Sequence, residues 1–393
     1  MKKSLLALAV LGAFAGAAQA QSSVTIYGIV DTGIAYSSKV ATGTGSDTGS
    51  KFGINSGVIQ GSRIGFKGVE DLGGGLSAVF QLETGFTSDD GGLQGSDAVT
   101  SSNLFRRKSV VGLAGGFGTV LLGRQTDFSD TISAYTAVND FGGVVSNSGS
   151  GLNRLQGVRT NNSISYTTNN LSGFTGNLIY GFGETAGKTS AGQAYGIGAK
   201  YDNGPLGLGI NYYQSKAGTT PSDVSLITPA LTSTNATAVA NANAALAANA
   251  GNTALKALNV VASYQFGPAR VYGNYSRVKQ DLKTAPTSVA GLTLAGAQKV
   301  DTYEIGTAYT LSPALKLLAA VDYSRATFVG VNTTGKLTQI SLGADYFLSK
   351  RTDLYAFVSN MRASDMQNPG VTGGATGSDA SQTAVITGIR HKF

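Results

Sequence analysis

The chain has no cysteine, no tryptophan, one histidine and only seven prolines among 393 residues. Without cysteine there is no disulfide framework and no thiol nucleophile. The single histidine, His391, lies two residues from the end, so an activated serine has no base beside it. Neither a nucleophile elbow nor a cluster of metal-ligand residues is present, and an enzyme, a cofactor and a bound metal are not expected. Charged residues make up only 13% of the chain, far from the clustered Lys and Arg of a nucleic-acid-binding protein. Past residue 20, no apolar stretch approaches the roughly 20 residues of a membrane-spanning helix. Mean hydropathy is near zero.

What is present begins with a short export address. Lys2 and Lys3 precede an apolar run from Leu5 to Ala18, and Ala18-Gln19-Ala20 is a small-x-small cleavage site. Residues 1–20 are expected to be a signal peptide, leaving a single unit over 21–393. Removing Lys2 and Lys3 lowers the formal charge from +7 to +5.

The remainder holds 55 glycines, 17 tyrosines and 16 phenylalanines, and much of it alternates with period two. Tyr303, Ile305, Thr307, Tyr309 and Leu311 share one face, with Thr302, Glu304, Gly306 and Ala308 on the other. The last strand sets Val385, Thr387, Ile389, His391 and Phe393 against Ala384, Gly388, Arg390 and Lys392. Such alternation over about ten residues is the pattern of a tilted membrane strand with one face to lipid and one to a lumen. About sixteen strands are expected, near 23–36, 62–69, 75–86, 105–114, 117–125, 160–168, 173–183, 194–202, 206–216, 257–266, 268–279, 300–311, 315–325, 337–348, 353–361 and 383–393. Short turns such as Gly115-Gly116, Gly267-Pro268 and Ser312-Pro313 alternate with long polar loops, roughly 37–61, 87–104, 126–159, 184–193, 217–256, 280–299, 326–336 and 362–382. That asymmetry belongs to an outer-membrane barrel. The Ala/Asn/Thr-rich stretch from Thr219 to Lys256 is too polar to cross a membrane and is expected to be an external loop, with a short helix or none.

In hydrocarbon an unpaired peptide group costs several kcal/mol, so the strands must close on themselves. The fold class is therefore all-β, a transmembrane antiparallel β-barrel. At about sixteen strands the interior is wide enough for an aqueous channel.

The residues also carry a resemblance. Gln21-Ser-Ser-Val-Thr-Ile-Tyr-Gly-Ile-Val-Asp31, Ser62-Arg-Ile-Gly-Phe-Lys-Gly-Val-Glu-Asp-Leu-Gly-Gly-Gly-Leu76, Phe117-Gly-Thr-Val-Leu-Leu-Gly-Arg-Gln125 and Gly388-Ile-Arg-His-Lys-Phe393 resemble the corresponding segments of Gram-negative general porins of the betaproteobacterial type. The resemblance spans the chain in order. It implies a homotrimer in the outer membrane, contact with its lipid and lipopolysaccharide, and passive diffusion of small hydrophilic solutes and ions. It makes the terminal Phe393 an assembly signal. It also implies that the third long loop, about Thr126 to Val158, folds inward and narrows the pore.

The constriction residues implied by motif position are Arg63, Arg107 and Arg159 on the wall, facing Asp127 and Asp130 on the loop. Parity alone turns Arg63 inward, with Gly65 and Lys67, opposite Ile64 and Phe66. In Arg106-Arg107-Lys108 the parity is open, but at least one must face the lumen, because the lipid face disfavours Arg by about 2–4 kcal/mol near the midplane. Arg159 rests on the resemblance. Lys67, Arg270 and Lys316 are weaker candidates for lumen charges. A small basic excess suggests modest anion preference. The alternative is a substrate-specific channel. Phe128, Tyr135 and Phe141 could begin an aromatic track for sugars, and a phosphate channel would need a denser Lys/Arg ladder.

Overall fold

The computed structural model of the chain describes residues 23–42, 48–93, 103–144, 153–216, 253–282, 297–328, 334–366, 368–371 and 380–393. Their strands, in order, are β1 (Ser23–Ala41), β2 (Thr48–Ser56), β3 (Arg63–Gly73), β4 (Leu76–Gly85), β5 (Lys108–Gly115), β6 (Gly118–Thr126), β7 (Arg159–Thr167), β8 (Phe174–Gly181), β9 (Ala194–Asn203), β10 (Leu206–Ser215), β11 (Thr253–Phe266), β12 (Ala269–Leu282), β13 (Ala297–Ser312), β14 (Leu315–Phe328), β15 (Thr334–Phe347), β16 (Thr352–Ser364) and β17 (Ser381–Lys392). From β3 onward each pairs antiparallel with the next, and β17 returns to β1, so one sheet closes into a ring.

The ring has sixteen positions, because β2 and β3 lie in line on the same side of β1. β2 pairs with Thr32 to Ala41, and β3 pairs with Ser23 to Ile29. This corrects the expected loop at 37–61, which contains β2. Only Phe52 and Ile54 mark its alternation, too few to declare a strand. The break between β2 and β3 has a local cause. The buried Asp31 carboxylate accepts the backbone N–H groups of Ile59 (2.8 Å) and Gln60 (2.7 Å), drawing residues 57–62 off the ladder. From β11 to β17 the strands run further toward the long loops than expected, so that only 329–333 separate β14 from β15, whereas β5 and β8 stop short of the expected bounds at that end. The expected leader, and residues 219–252 of the Ala/Asn-rich stretch, lie outside the described residues.

Outward residues on alternate positions form an apolar surface, including Val24, Ile197, Ile305, Val321 and Leu342, all exposed. Inward positions between them hold Asn259, Ser276, Thr302, Ser324 and Ser341, buried against the interior. This inverts the usual soluble arrangement, as lipid contact requires. Both described chain ends and the short turns share one end of the barrel, and the long connections share the other.

Closure is completed by the last residue. Phe393 donates its N–H to the Gly28 carbonyl at 3.1 Å, and Gly28 donates back at 3.0 Å. The ring of Phe393 lies over Gly28, where a Cβ would come within 2.3 Å of it. Removing Phe393 is expected to lose about 2–3 kcal/mol from two hydrogen bonds and the ring contact. The check is the temperature at which the folded barrel converts to the slower-migrating unfolded band on a gel. It should fall for the truncated chain, and an unchanged temperature would contradict the closure described.

Candidate functional site

The described parts of the connection from β6 to β7, residues 127–144 and 153–158, lie inside the barrel. They make short helical turns at Ser129–Ile132 and Val138–Phe141, with 3-10 turns at Ser133–Tyr135 and Gly142–Val144, and run across the inner wall. The wall is shaped to take it. Inward positions of β9 and β10 are Gly198, Gly207 and Gly209, and a Cβ there would lie 2.5 Å from the Phe128 ring, 2.6 Å from the Tyr135 ring and 2.7 Å from Ile132. Three glycines thus form a trough filled by three large loop side chains.

Polar contacts fix the loop along its length. At its root, the buried Asp127 carboxylate accepts the Val158 N–H (2.7 Å), the Ser129 hydroxyl (2.8 Å) and the Asn211 amide (2.6 Å). Burial raises the Asp127 pKa above the ordinary carboxylate value, and these three donors pull against it. Further on, the Tyr135 hydroxyl donates to Asp202, the Ala137 N–H donates to Glu304 at 2.9 Å, and Arg270 pairs with Asp140 while donating to the Ala134 carbonyl at 2.8 Å. At the far side Phe141 packs on Phe357, with centroids 5.3 Å apart.

There the loop meets the displaced segment 57–62. Gly142 has φ of +59°, a conformation that favours glycine, and a Cβ on it would lie 1.8 Å from the Ile59 carbonyl oxygen. Asp31 holds this segment from below and also accepts the Tyr355 hydroxyl at 2.6 Å. Arg390, paired with Asp353 at 3.0 Å, reaches Gln60 at 3.2 Å.

Arg63, Arg107 and Arg159 come together on the wall beside the loop root. Arg63 is inward on β3 by its register with Ile29, 21% exposed, and within electrostatic reach of both other arginines. The ambiguous triplet resolves simply. Lys108 is the first residue of β5 and pairs with inward Glu83. Arg107 precedes the regular alternation and turns to the same side, donating its N–H to the Glu83 carbonyl (3.2 Å) and its Nε to the Glu83 carboxylate (2.6 Å). Arg159 opens β7 beside Thr126. Asp130, exposed on the loop, is within electrostatic reach of all three arginines and of Lys108. Asp127 is not among the lumen-facing groups, since its carboxylate is engaged at the loop root.

The weaker candidates separate by role. Lys67 sits 5.6 Å from the Tyr27 ring, below Arg63 on the same face. Arg270 is taken up in holding the loop. Lys316 lies opposite Asp345 and 5.3 Å from the Phe347 ring. The three aromatic candidates pack against wall residues: Phe128 and Phe141 are buried, and Tyr135 lies over Gly207. Sequence reasoning missed Glu83, which sits among the arginines and accepts the Tyr27 hydroxyl at 2.9 Å. Its signal was there to read: a lone acid on the polar parity of β4, sharing a face with Gln81 and opposite apolar Phe80 and Leu82. His391 is exposed on the outward face, its ring against the Thr352 hydroxyl at 2.9 Å.

A closed barrel with a loop folded through it and a basic cluster facing that loop defines a pore-forming class. The chain belongs to the Gram-negative porin family, whose sequence model matches residues 7–366. It is 36% identical to outer membrane porin protein 32 of Delftia acidovorans and 32% identical to an outer membrane porin protein of Bordetella pertussis, each over the full length of both chains. The anion-selective porin from Comamonas acidovorans has the same architecture, with a TM-score of 0.69 at 29% identity over 95% of this chain and all of that one.

Filling the glycine trough should displace the loop toward the arginines. Gly209→Val is expected to cost about 1–3 kcal/mol of packing at Ile132 and to lower single-channel conductance while the barrel still forms. Conductance equal to the parent's would show that the loop does not bear on the pore.

Proposed function

We propose that the chain is a general porin: a water-filled pore through the outer membrane along which small hydrophilic solutes and ions diffuse passively, with a modest preference for anions. The observation that carries this reading is the gathering of Arg63, Arg107, Arg159 and Lys108 on one wall, with the Asp130 carboxylate on the loop facing them. These residues are the proposed constriction. Water fills the space between, and the opposed charges set a field across the path that orients dipolar solutes. The loop's position sets the size limit.

The selectivity can be sized. A cation about 7 Å from a passing anion contributes about 0.6 kcal/mol in water, close to threefold in local concentration, before screening. Three guanidiniums and one ammonium, partly offset by Glu83 and Asp130, then give a preference of a few-fold rather than exclusion. Salt weakens it over a Debye length of about 8–10 Å. The porin from Comamonas acidovorans is described as anion-selective, and the same preference here follows from this cluster.

A substrate-specific channel gains no support from the loop aromatics, since Phe128 and Phe141 are buried against the wall rather than lining a track. Lys67 lies below the cluster and extends the positive wall, whereas Arg270 acts mainly by positioning the loop. The export leader is proposed to be cleaved after Ala20, the mature unit to begin at Gln21 and assemble as a homotrimer, and the outer face to contact membrane lipid and lipopolysaccharide. Phe393, which zips β17 to β1, is the proposed assembly signal.

Reversal potentials across a salt gradient test the reading. The parent channel should reverse on the anion side. Arg63→Ala and Arg107→Ala should each lower the anion-to-cation permeability ratio about two- to threefold, and Glu83→Gln should raise it by a similar factor. Clear cation preference in the parent, or ratios indifferent to all three substitutions, would refute it.

A further inference from the structure

Residues 57–62, which lead from β2 to Arg63 at the start of β3, are held along their length by one residue. Asp31 is wholly buried. Its backbone carbonyl accepts the Gly57 N–H at 2.7 Å and the Ser62 hydroxyl at 3.1 Å, and its own N–H is donated to the Ser62 Oγ at 3.0 Å. Its carboxylate Oδ2 accepts the Ile59 N–H at 2.8 Å and the Gln60 N–H at 2.7 Å. The other oxygen, Oδ1, is taken by the Tyr355 hydroxyl at 2.6 Å. The ends of the segment also meet. Gly57 has φ of +67°, and a Cβ on it would lie 2.8 Å from the Gly61 Cα. The segment is therefore a closed clip, pinned at both ends and in the middle by Asp31.

The clip bears on the basic cluster. The Gly61 carbonyl accepts the Nε–H of Arg63 at 2.8 Å. This is the firm contact of that guanidinium, because its approach to Glu83 is 3.8 Å. Arg107 is held differently, with its Nε 2.6 Å from the Glu83 carboxylate. A guanidinium is planar, so fixing its Nε–H fixes the direction of the whole fork. The terminal nitrogens of Arg63 are then the ones that meet a passing anion. On its other side the clip is closed by the loop tip, where Gly142 abuts the Ile59 carbonyl.

We propose that Asp31 is a positioning residue for ion selectivity: through the clip and the Gly61 carbonyl it aims the Arg63 guanidinium at the diffusion path. The inference rests on the porin reading and deepens it, by assigning part of the anion preference to a residue that no solute touches. It also makes a prediction opposite in sign to charge counting. Removing a negative charge from the wall would by Coulomb's law alone raise the anion preference. Loss of aim at Arg63 lowers it.

The test is the anion-to-cation permeability ratio of the full chain in planar bilayers, from reversal potentials, read beside the temperature at which the folded barrel unfolds on a gel. Asp31→Ala leaves the Ile59 and Gln60 N–H groups without their acceptor and should lower the ratio about twofold. Asp31→Asn removes the same charge but keeps an oxygen for those two groups, so its ratio should lie above that of Asp31→Ala. In an Arg63→Ala background, Asp31→Ala should lower the ratio no further, since the effect runs through that guanidinium. If Asp31→Ala does not fold, Ser62→Ala carries the test with no change of charge. It removes the hydroxyl that takes the Asp31 N–H and should lower the ratio by a smaller factor, again only where Arg63 is present.

A ratio that rises or stays level in Asp31→Ala, equal ratios for the Ala and Asn variants, or an equal fall when Arg63 is already absent would overturn the inference. A lower unfolding temperature with an unchanged ratio would do the same, since Asp31 would then serve the fold alone. In each of these cases a parent channel that still prefers anions leaves the porin reading standing. A parent without anion preference would refute that reading and this inference together.

Discussion

Hydrocarbon offers a peptide group no partner, and in this chain that single constraint reaches every level of structure. Each strand must find neighbours on both sides, so the sheet has to close. Closure needs the first and last strands to meet, and they do, from Ile29–Lys392 up to Ser37–Ala384. It fixes parity all the way round, because each cross-strand pair shares a face with the next. Apolar side chains are sent outward and polar ones inward, and the polar interior holds water.

Water inside the ring changes what enclosure means for a charge. Asp130 and Arg63 are surrounded by wall on every side, yet both keep contact with solvent. Both charges therefore remain open to the lumen rather than sealed in the wall. Asp127 and Asp31 are the contrasting case. They are buried outright, and their carboxylates are filled by donors from the chain itself. Asp130 and Arg63 face the path, whereas the two buried acids build the structure that narrows it. The loop is wedged as well as tethered: Phe128, Ile132 and Tyr135 fill the glycine trough, and Gly142 abuts the displaced segment at 57–62.

Much of the architecture was legible because lipid imposes a period of two that survives in the sequence. The alternation at Tyr303 to Leu311 and the split between tight turns and long loops came through directly. β2 did not, because a strand with only Phe52 and Ile54 outward resembles a polar loop, and because its break depends on Asp31, a long-range hydrogen-bond partner. Of the site, Arg63 followed from parity. Arg107 could not, since it precedes the regular ladder and is turned by its contact with Glu83. The trough is legible only with the register in hand, as Gly198 and Gly209 meet one loop from different strands. Asp127 and Asp130 are three residues apart and alike in type, and only burial separates their roles.

Because the chain contains no cysteine, the central claim, a loop lying in water inside a closed barrel, can be tested one position at a time. The most direct measurement is current through a planar bilayer during reaction of Asp130→Cys and, separately, Ile305→Cys with a charged, membrane-impermeant thiol reagent. The account predicts stepwise loss of current for Asp130→Cys and no reaction for Ile305→Cys on the lipid face. Current unchanged after complete modification of Asp130→Cys, or equally fast labelling of Ile305→Cys, would contradict it.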